Sequence, residues 1–270
     1  MIRRDVRLAD GSPAWALISQ IEHARLSAEL AERCVGRFSA PELEAVRREV
    51  LLAIARHDDG WVEWEESPRI DAEHGRPVSF MELETDEAID IWNRSIERSA
   101  AYGPLAGWLV AGHFIRLTDK YSDHSRTDSA AAKWRTEMDE QRSAWSAEWQ
   151  AINPPLHTRA LADEALQWLW TFDEASLWFC CTSPADEESS STSASTSKPA
   201  VIGRGTPLEM MLTASGAGVA IANPWRFDQP TIELELTAQI IPAIRYDSPE
   251  TLLAAGESRT LRWQLGTSEV

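Results

Sequence analysis

The chain has 270 residues, enough for one large domain or a domain with an appendage. Its 43 acidic against 26 basic side chains give a formal charge of −17, which argues against non-specific nucleic-acid binding and against attachment to an anionic membrane surface. Three cysteines, two of them adjacent (Cys34, Cys180, Cys181), do not make a disulfide framework. No signal peptide and no apolar run of membrane-spanning length is expected, so the expectation is a soluble cytoplasmic protein.

In chain order, residues 1–18 read as a hairpin. Ile2 to Val6 and Ala14 to Ile18 flank Asp10-Gly11, a strong turn signal. Ser19-Gln20-Ile21-Glu22 reads as a capping box opening a helix to about Cys34, with His23, Ser27, Leu30 and Cys34 on one stripe. Ser39-Ala40-Pro41-Glu42 reads as a second capping box. Leu43, Val46, Val50, Ile54 and His57 follow at helical spacing, so His57 continues an apolar stripe and is expected to point inward. Gly60 is expected to end that helix.

Residues 61–84 read as a long irregular excursion, a candidate lid, with His74 in its polar part. Helices are expected from Asp86 to Ala100, from Pro104 through His113, over 128–151, and from beyond Pro155 to about Cys181. Asp119 and His124 fall in a polar stretch read as loop. Residues 184–200 are a Ser/Thr-rich low-complexity segment, read as a flexible loop. Beyond it the pattern turns to strands at 208–213, 219–222, 231–236, 240–246 and 260–265, with a short helix opened by Ser248-Pro249-Glu250. The organisation expected is a hairpin (1–18), a helical domain (19–183), the low-complexity loop (184–200) and a β region (201–270). The fold class is α+β: a mainly helical bundle with a small antiparallel sheet built from the N-terminal hairpin and the C-terminal strands. Most of the thirteen tryptophans fall in helices, where core and subunit-contact packing is the expected use; that allows a homo-oligomer.

The chemistry concentrates in His23, His57-Asp58, His113 and Asp173. An inward imidazole needs a hydrogen-bond partner or a metal. A carboxylate amid Leu166, Leu169, Trp170 and Leu177 is costly unless paired or metal-bound. Imidazole and carboxylate are ligand types that hard and borderline metals accept. Adjacent helical residues diverge by about 100°, so His57 and Asp58 share a site only where the helix ends and other helices bring ligands to meet them.

Leu51-Leu52-Ala53-Ile54-Ala55-Arg56-His57-Asp58-Asp59-Gly60 and Phe172-Asp173-Glu174-Ala175-Ser176-Leu177 resemble the motifs of the HD superfamily of helical metal-dependent phosphohydrolases. More closely, Glu22-His23-Ala24-Arg25-Leu26-Ser27, His57-Asp58-Asp59-Gly60-Trp61, Gly112-His113-Phe114 and Asn223-Pro224-Trp225-Arg226-Phe227 resemble a bacterial family known as domain of unknown function 3891. The superfamily resemblance implies that His23, His57, Asp58 and Asp173 bind a divalent metal (manganese, iron or zinc). In it His113 stands where two-metal members place extra ligands, and Asp58 and His113 are the candidate catalytic groups. It also implies hydrolysis of a small phosphorylated metabolite by a metal-activated water. A di-iron oxygenase and a non-enzymatic binding or assembly protein with structural histidines are the alternatives.

Overall fold

A computed structural model describes residues 1–35, 42–121, 129–182, 199–216 and 218–267. The fold is α+β, as expected. The chain opens with β1 (Ile2–Arg7) and β2 (Pro13–Ile18), paired antiparallel, and passes through α1 (Gln20–Arg33), α2 (Leu43–Arg56), α3 (Val62–Glu66), α4 (Thr85–Ala100), α5 (Pro104–Tyr121), α6 (Ser129–Ile152) and α7 (Arg159–Cys181). It returns to strands as β3 (Ala200–Ile202), β4 (Met210–Gly216), β5 (Val219–Asn223) and β6 (Thr231–Pro242), then α8 (Pro249–Ala254) and β7 (Glu257–Gly266). The second capping box expected at Ser39 lies largely outside the described residues, as do His124 and most of the low-complexity segment. The helix through His113 continues past Asp119, where the polar pattern predicts a loop.

The sheet departs from expectation. It is one seven-stranded mixed sheet in the order β1-β2-β6-β7-β5-β4-β3, with β5 and β7 parallel and the other pairs antiparallel. The expected strand 231–236 also merges with the start of the expected strand 240–246, and residues 243–246 lie beyond the strand. β6 is a single strand because Thr237-Ala238-Gln239 keeps the alternation of buried and exposed positions, and its register with β7 is unbroken from Thr231↔Gly266 to Ile240↔Glu257. Both chain ends meet in this sheet through the β2–β6 pairing, so the helices form one long excursion from it.

A continuous apolar core joins helices to sheet, from Leu26 and Leu30 of α1 through Phe172 and Phe179 of α7 to Leu234 and Leu236 of β6. Trp178 and Phe179 meet Trp263 of β7 with ring centroids 5.7 and 5.5 Å apart. Trp92, Trp108, Trp134, Trp149, Trp168 and Trp263 are buried, which accounts for much of the tryptophan content as core packing. No helix among the described residues is long and apolar enough to cross a membrane.

Candidate metal centre

Four helical segments bring the site together. Ser19 caps α1 by accepting the backbone N–H of Glu22 at 3.0 Å. The reciprocal half of the expected capping box is missing, because Glu22 turns instead to Arg25 and to the backbone N–H of Thr237. His23 therefore sits in the first turn of α1, one per cent exposed. His57 is the C-terminal cap of α2, and Asp58 opens the 3₁₀ turn Asp59–Trp61. The change from α to 3₁₀ geometry lets both neighbours face inward; His57 is fully buried and Asp58 five per cent exposed. His113 comes from the middle of α5 and Asp173 from the middle of α7.

Gly60 does not act as a left-handed helix cap. It lies within the 3₁₀ turn, where a Cβ would fall 2.1 Å from the carbonyl oxygen of Ile91 and 2.6 Å from Ser95 of α4. Its backbone N–H donates to Ser95 Oγ at 2.9 Å. Glycine is needed there so that the turn carrying Asp58 can lie directly on α4.

All five predicted residues converge. His23 Nε2 stands 3.0 Å from Asp173 Oδ1 and 3.7 Å from Asp58 Oδ2. His57 Nε2 lies 3.4 Å from Asp58 Oδ2 and 3.3 Å from Asp173 Oδ1, and His113 Nε2 4.0 Å from the same Asp173 oxygen. The rings of His23 and His113 flank that of His57 edge to face, with centroids 5.3 and 5.1 Å away. His74, by contrast, is paired with Asp71 at 2.8 Å in the exposed part of the 61–84 segment and takes no part.

The three imidazoles are held differently. His57 Nδ1 donates to the carbonyl of Ile54 at 2.7 Å, which turns Nε2 toward the cluster. That Nε2 is buried and has no hydrogen-bond partner, since neither nearby carboxylate is aligned with it. His23 Nδ1 meets Ser176 Oγ at 2.7 Å. His113 Nδ1 is buried without a partner. Burial would push His57 toward the neutral form, but Asp58 and Asp173 outweigh it and hold the ring up to about 9. Burial, with Asp173 only partly opposing it, pushes His113 down to about 3. Burial raises the Asp58 carboxyl. It also opposes ionisation of Asp173, which the charge of His113 and the contacts of His23 and His57 nonetheless hold well below the usual carboxylate range.

These residues fit a divalent ion. Donors bound about 2.1 Å from one ion stand roughly 3.0–3.4 Å apart in octahedral or tetrahedral arrangements. The closest donor contacts here, 3.0, 3.3 and 3.4 Å, match those edges. A second mark of fit is the buried Nε2 of His57, which faces carboxylates at 3.3 and 3.4 Å yet makes an aligned hydrogen bond to neither, an arrangement a bound ion would satisfy. Two triads have ligand atoms all within 4.8 Å of one another, His23–His57–Asp58 and His57–His113–Asp173, and they share His57.

Three further residues shape the surroundings. Ser27 and Ser176 are fully buried beside His23. Their only sequence signal is position, Ser27 one turn after His23 and Ser176 one turn after Asp173. Arg116, one turn beyond His113, lies with its guanidinium 4.3 Å from the ring centroid of Trp170, itself one turn before Asp173. Arg116 is exposed and makes no ion pair with a carboxylate among the described residues.

No curated protein and no solved structure matches the chain. A family model does, over residues 1–243, a span that holds all five clustered residues and all of the sheet except β7. The chain belongs to that family, described as a protein of unknown function, DUF3891.

Proposed function

We propose that this protein is a metal-dependent hydrolase of a small phosphorylated metabolite, with His23, His57, Asp58, His113 and Asp173 holding a divalent manganese, iron or zinc ion. The observation that carries the reading is the buried, unpartnered Nε2 of His57, set among two more imidazoles and two carboxylates from separate helical segments. Such an ion, when bound, lowers the pKa of a coordinated water and polarises a phosphoryl group. His57 Nδ1 is committed to Ile54, so its ring offers one nitrogen, and one nitrogen ligates one ion. Because both triads share that nitrogen, one ion is favoured over two, which weighs against the di-iron oxygenase.

Asp58 is the group assigned to accepting the water proton, because its carboxylate is buried in the cluster with Oδ2 3.4 Å from His57 Nε2 and 3.7 Å from His23 Nε2. His113 is kept neutral by burial and is available to turn a lone pair toward the site. Arg116 is assigned to the phosphoryl oxygens. Trp170 holds its guanidinium in place without neutralising it, and among the described residues no carboxylate pairs with it, which leaves its donors to an oxyanion.

The experiment is release of inorganic phosphate from a panel of phosphorylated small molecules by the native protein loaded with manganese, iron or zinc, beside His57→Ala. The native protein is expected to release phosphate and the variant to lose both metal and activity. A metal-loaded native protein that releases phosphate from none of them would overturn the hydrolase reading, and oxygen uptake by the iron form would revive the oxygenase.

A further inference from the structure

His23 is the one imidazole of the three whose Nδ1 meets a side chain, and the side chain it meets belongs to a buried pair of hydroxyls. Ser176 Oγ lies 2.7 Å from His23 Nδ1 and 2.7 Å from Ser27 Oγ. Each hydroxyl also reaches a backbone carbonyl: Ser176 donates to Asp173 at 3.0 Å and Ser27 to His23 at 3.0 Å. Both serines are fully buried, so water cannot substitute for either.

The pair permits two proton arrangements. With the ring proton on His23 Nδ1, that N–H donates to Ser176, and the two serine protons go to backbone carbonyls or to the neighbouring serine. With the ring proton on Nε2, Ser176 donates to Nδ1 and Ser27 to Ser176, while Nε2–H donates to Asp173 Oδ1 at 3.0 Å. Every donor is used in either arrangement, and the net charge is the same in both. The backbone carbonyls of Asp173 and His23 are what allow each hydroxyl to turn. His57 has no such freedom, because a carbonyl can only accept.

We infer that Ser176, backed by Ser27, is a positioning residue that lets His23 carry its proton on either ring nitrogen, so that Nε2 donates to Asp173 in the metal-free protein and presents a lone pair once a metal binds. This rests on the metal-centre reading above. With a metal bound, an Nδ1–H donated to Ser176 would hold the ring angle and leave the Nε2 lone pair free, and loss of such a bond to a metal-ligating histidine typically costs about 10–100-fold in metal affinity.

The test uses cobalt(II) as the probe metal on the full chain. Ser176→Ala is expected to weaken cobalt binding about 10–100-fold and to shift the visible absorption of the bound ion, while Ser27→Ala, which leaves the Ser176–His23 contact in place, changes affinity much less. Nitrogen-15 NMR of the histidines in the native protein is expected to show His23 protonated on Nε2 without metal and on Nδ1 with zinc, a result independent of whether any variant folds. Unchanged cobalt affinity and spectrum in a folded Ser176→Ala, or a His23 that keeps one tautomer throughout, would overturn the inference alone. Failure of the native protein to bind cobalt or zinc would overturn it together with the metal-centre reading.

Discussion

At the scale of single residues, the site is built by burying groups that are costly to bury and letting each neutralise another's cost. His57 illustrates the balance: in the metal-free protein its ring is held up to about 9 by Asp58 and Asp173, against an ordinary value of 6.5. A raised histidine stabilises the fold fully below its unfolded value, and that stabilisation is lost as pH rises through 9. The metal-free protein is therefore expected to lose urea resistance between pH 7 and pH 10. The metal-loaded protein, where an ion replaces that proton, should lose less; identical profiles for the two forms would contradict this. Gly60 gives a second prediction. A Cβ 2.1 Å from the Ile91 carbonyl must push the turn off α4, so Gly60→Ala should cost about 1–3 kcal/mol in urea unfolding and weaken metal binding. The inward orientation of His57 was legible because the residue continues an apolar stripe. The role of Gly60 was not, because a glycine chosen for close approach looks the same in sequence as one that ends a helix.

The helices and their ends were the most legible elements, for local reasons. Ser19 caps α1, Pro104 starts α5, the break at Pro155 precedes α7, and apolar spacing marks the buried faces. Contacts between elements were less so. That α5 and α7 set His113 beside Asp173 and Arg116 on Trp170 depends on how two helices distant in sequence pack, which neither pattern encodes alone. That packing makes Arg116 testable. Arg116→Ala should weaken binding of inorganic phosphate to the metal-loaded protein roughly tenfold or more, the worth of a charged hydrogen bond, without changing metal content; Arg116→Lys should restore part of it. Calorimetric titration reads this directly, and equal phosphate affinity in Arg116→Ala would remove Arg116 from the site.

For the whole molecule, the α+β class followed from composition and pattern, whereas the sheet's size and mixed topology did not. Strand order is a non-local property, and β7 pairs parallel with β5 and antiparallel with β6 without either choice appearing in its own residues. The continuous core makes helices and sheet one packing unit, hinged on contacts such as Trp178 and Phe179 against Trp263. Trp263→Ala should accordingly cost about 3–5 kcal/mol and lower the urea midpoints of tryptophan fluorescence and helical circular dichroism together; a shift in only one would show that sheet and helices unfold separately. Every functional role assigned to these residues requires that the cluster hold a metal. The most direct measurement is elemental analysis of the purified native protein beside Asp58→Ala, without added metal or chelator. About one equivalent of transition metal is predicted in the native protein and its loss in a variant that remains folded. No metal in either, and none taken up on titration, would contradict the metal centre and leave the histidines as structural residues of a binding or assembly protein.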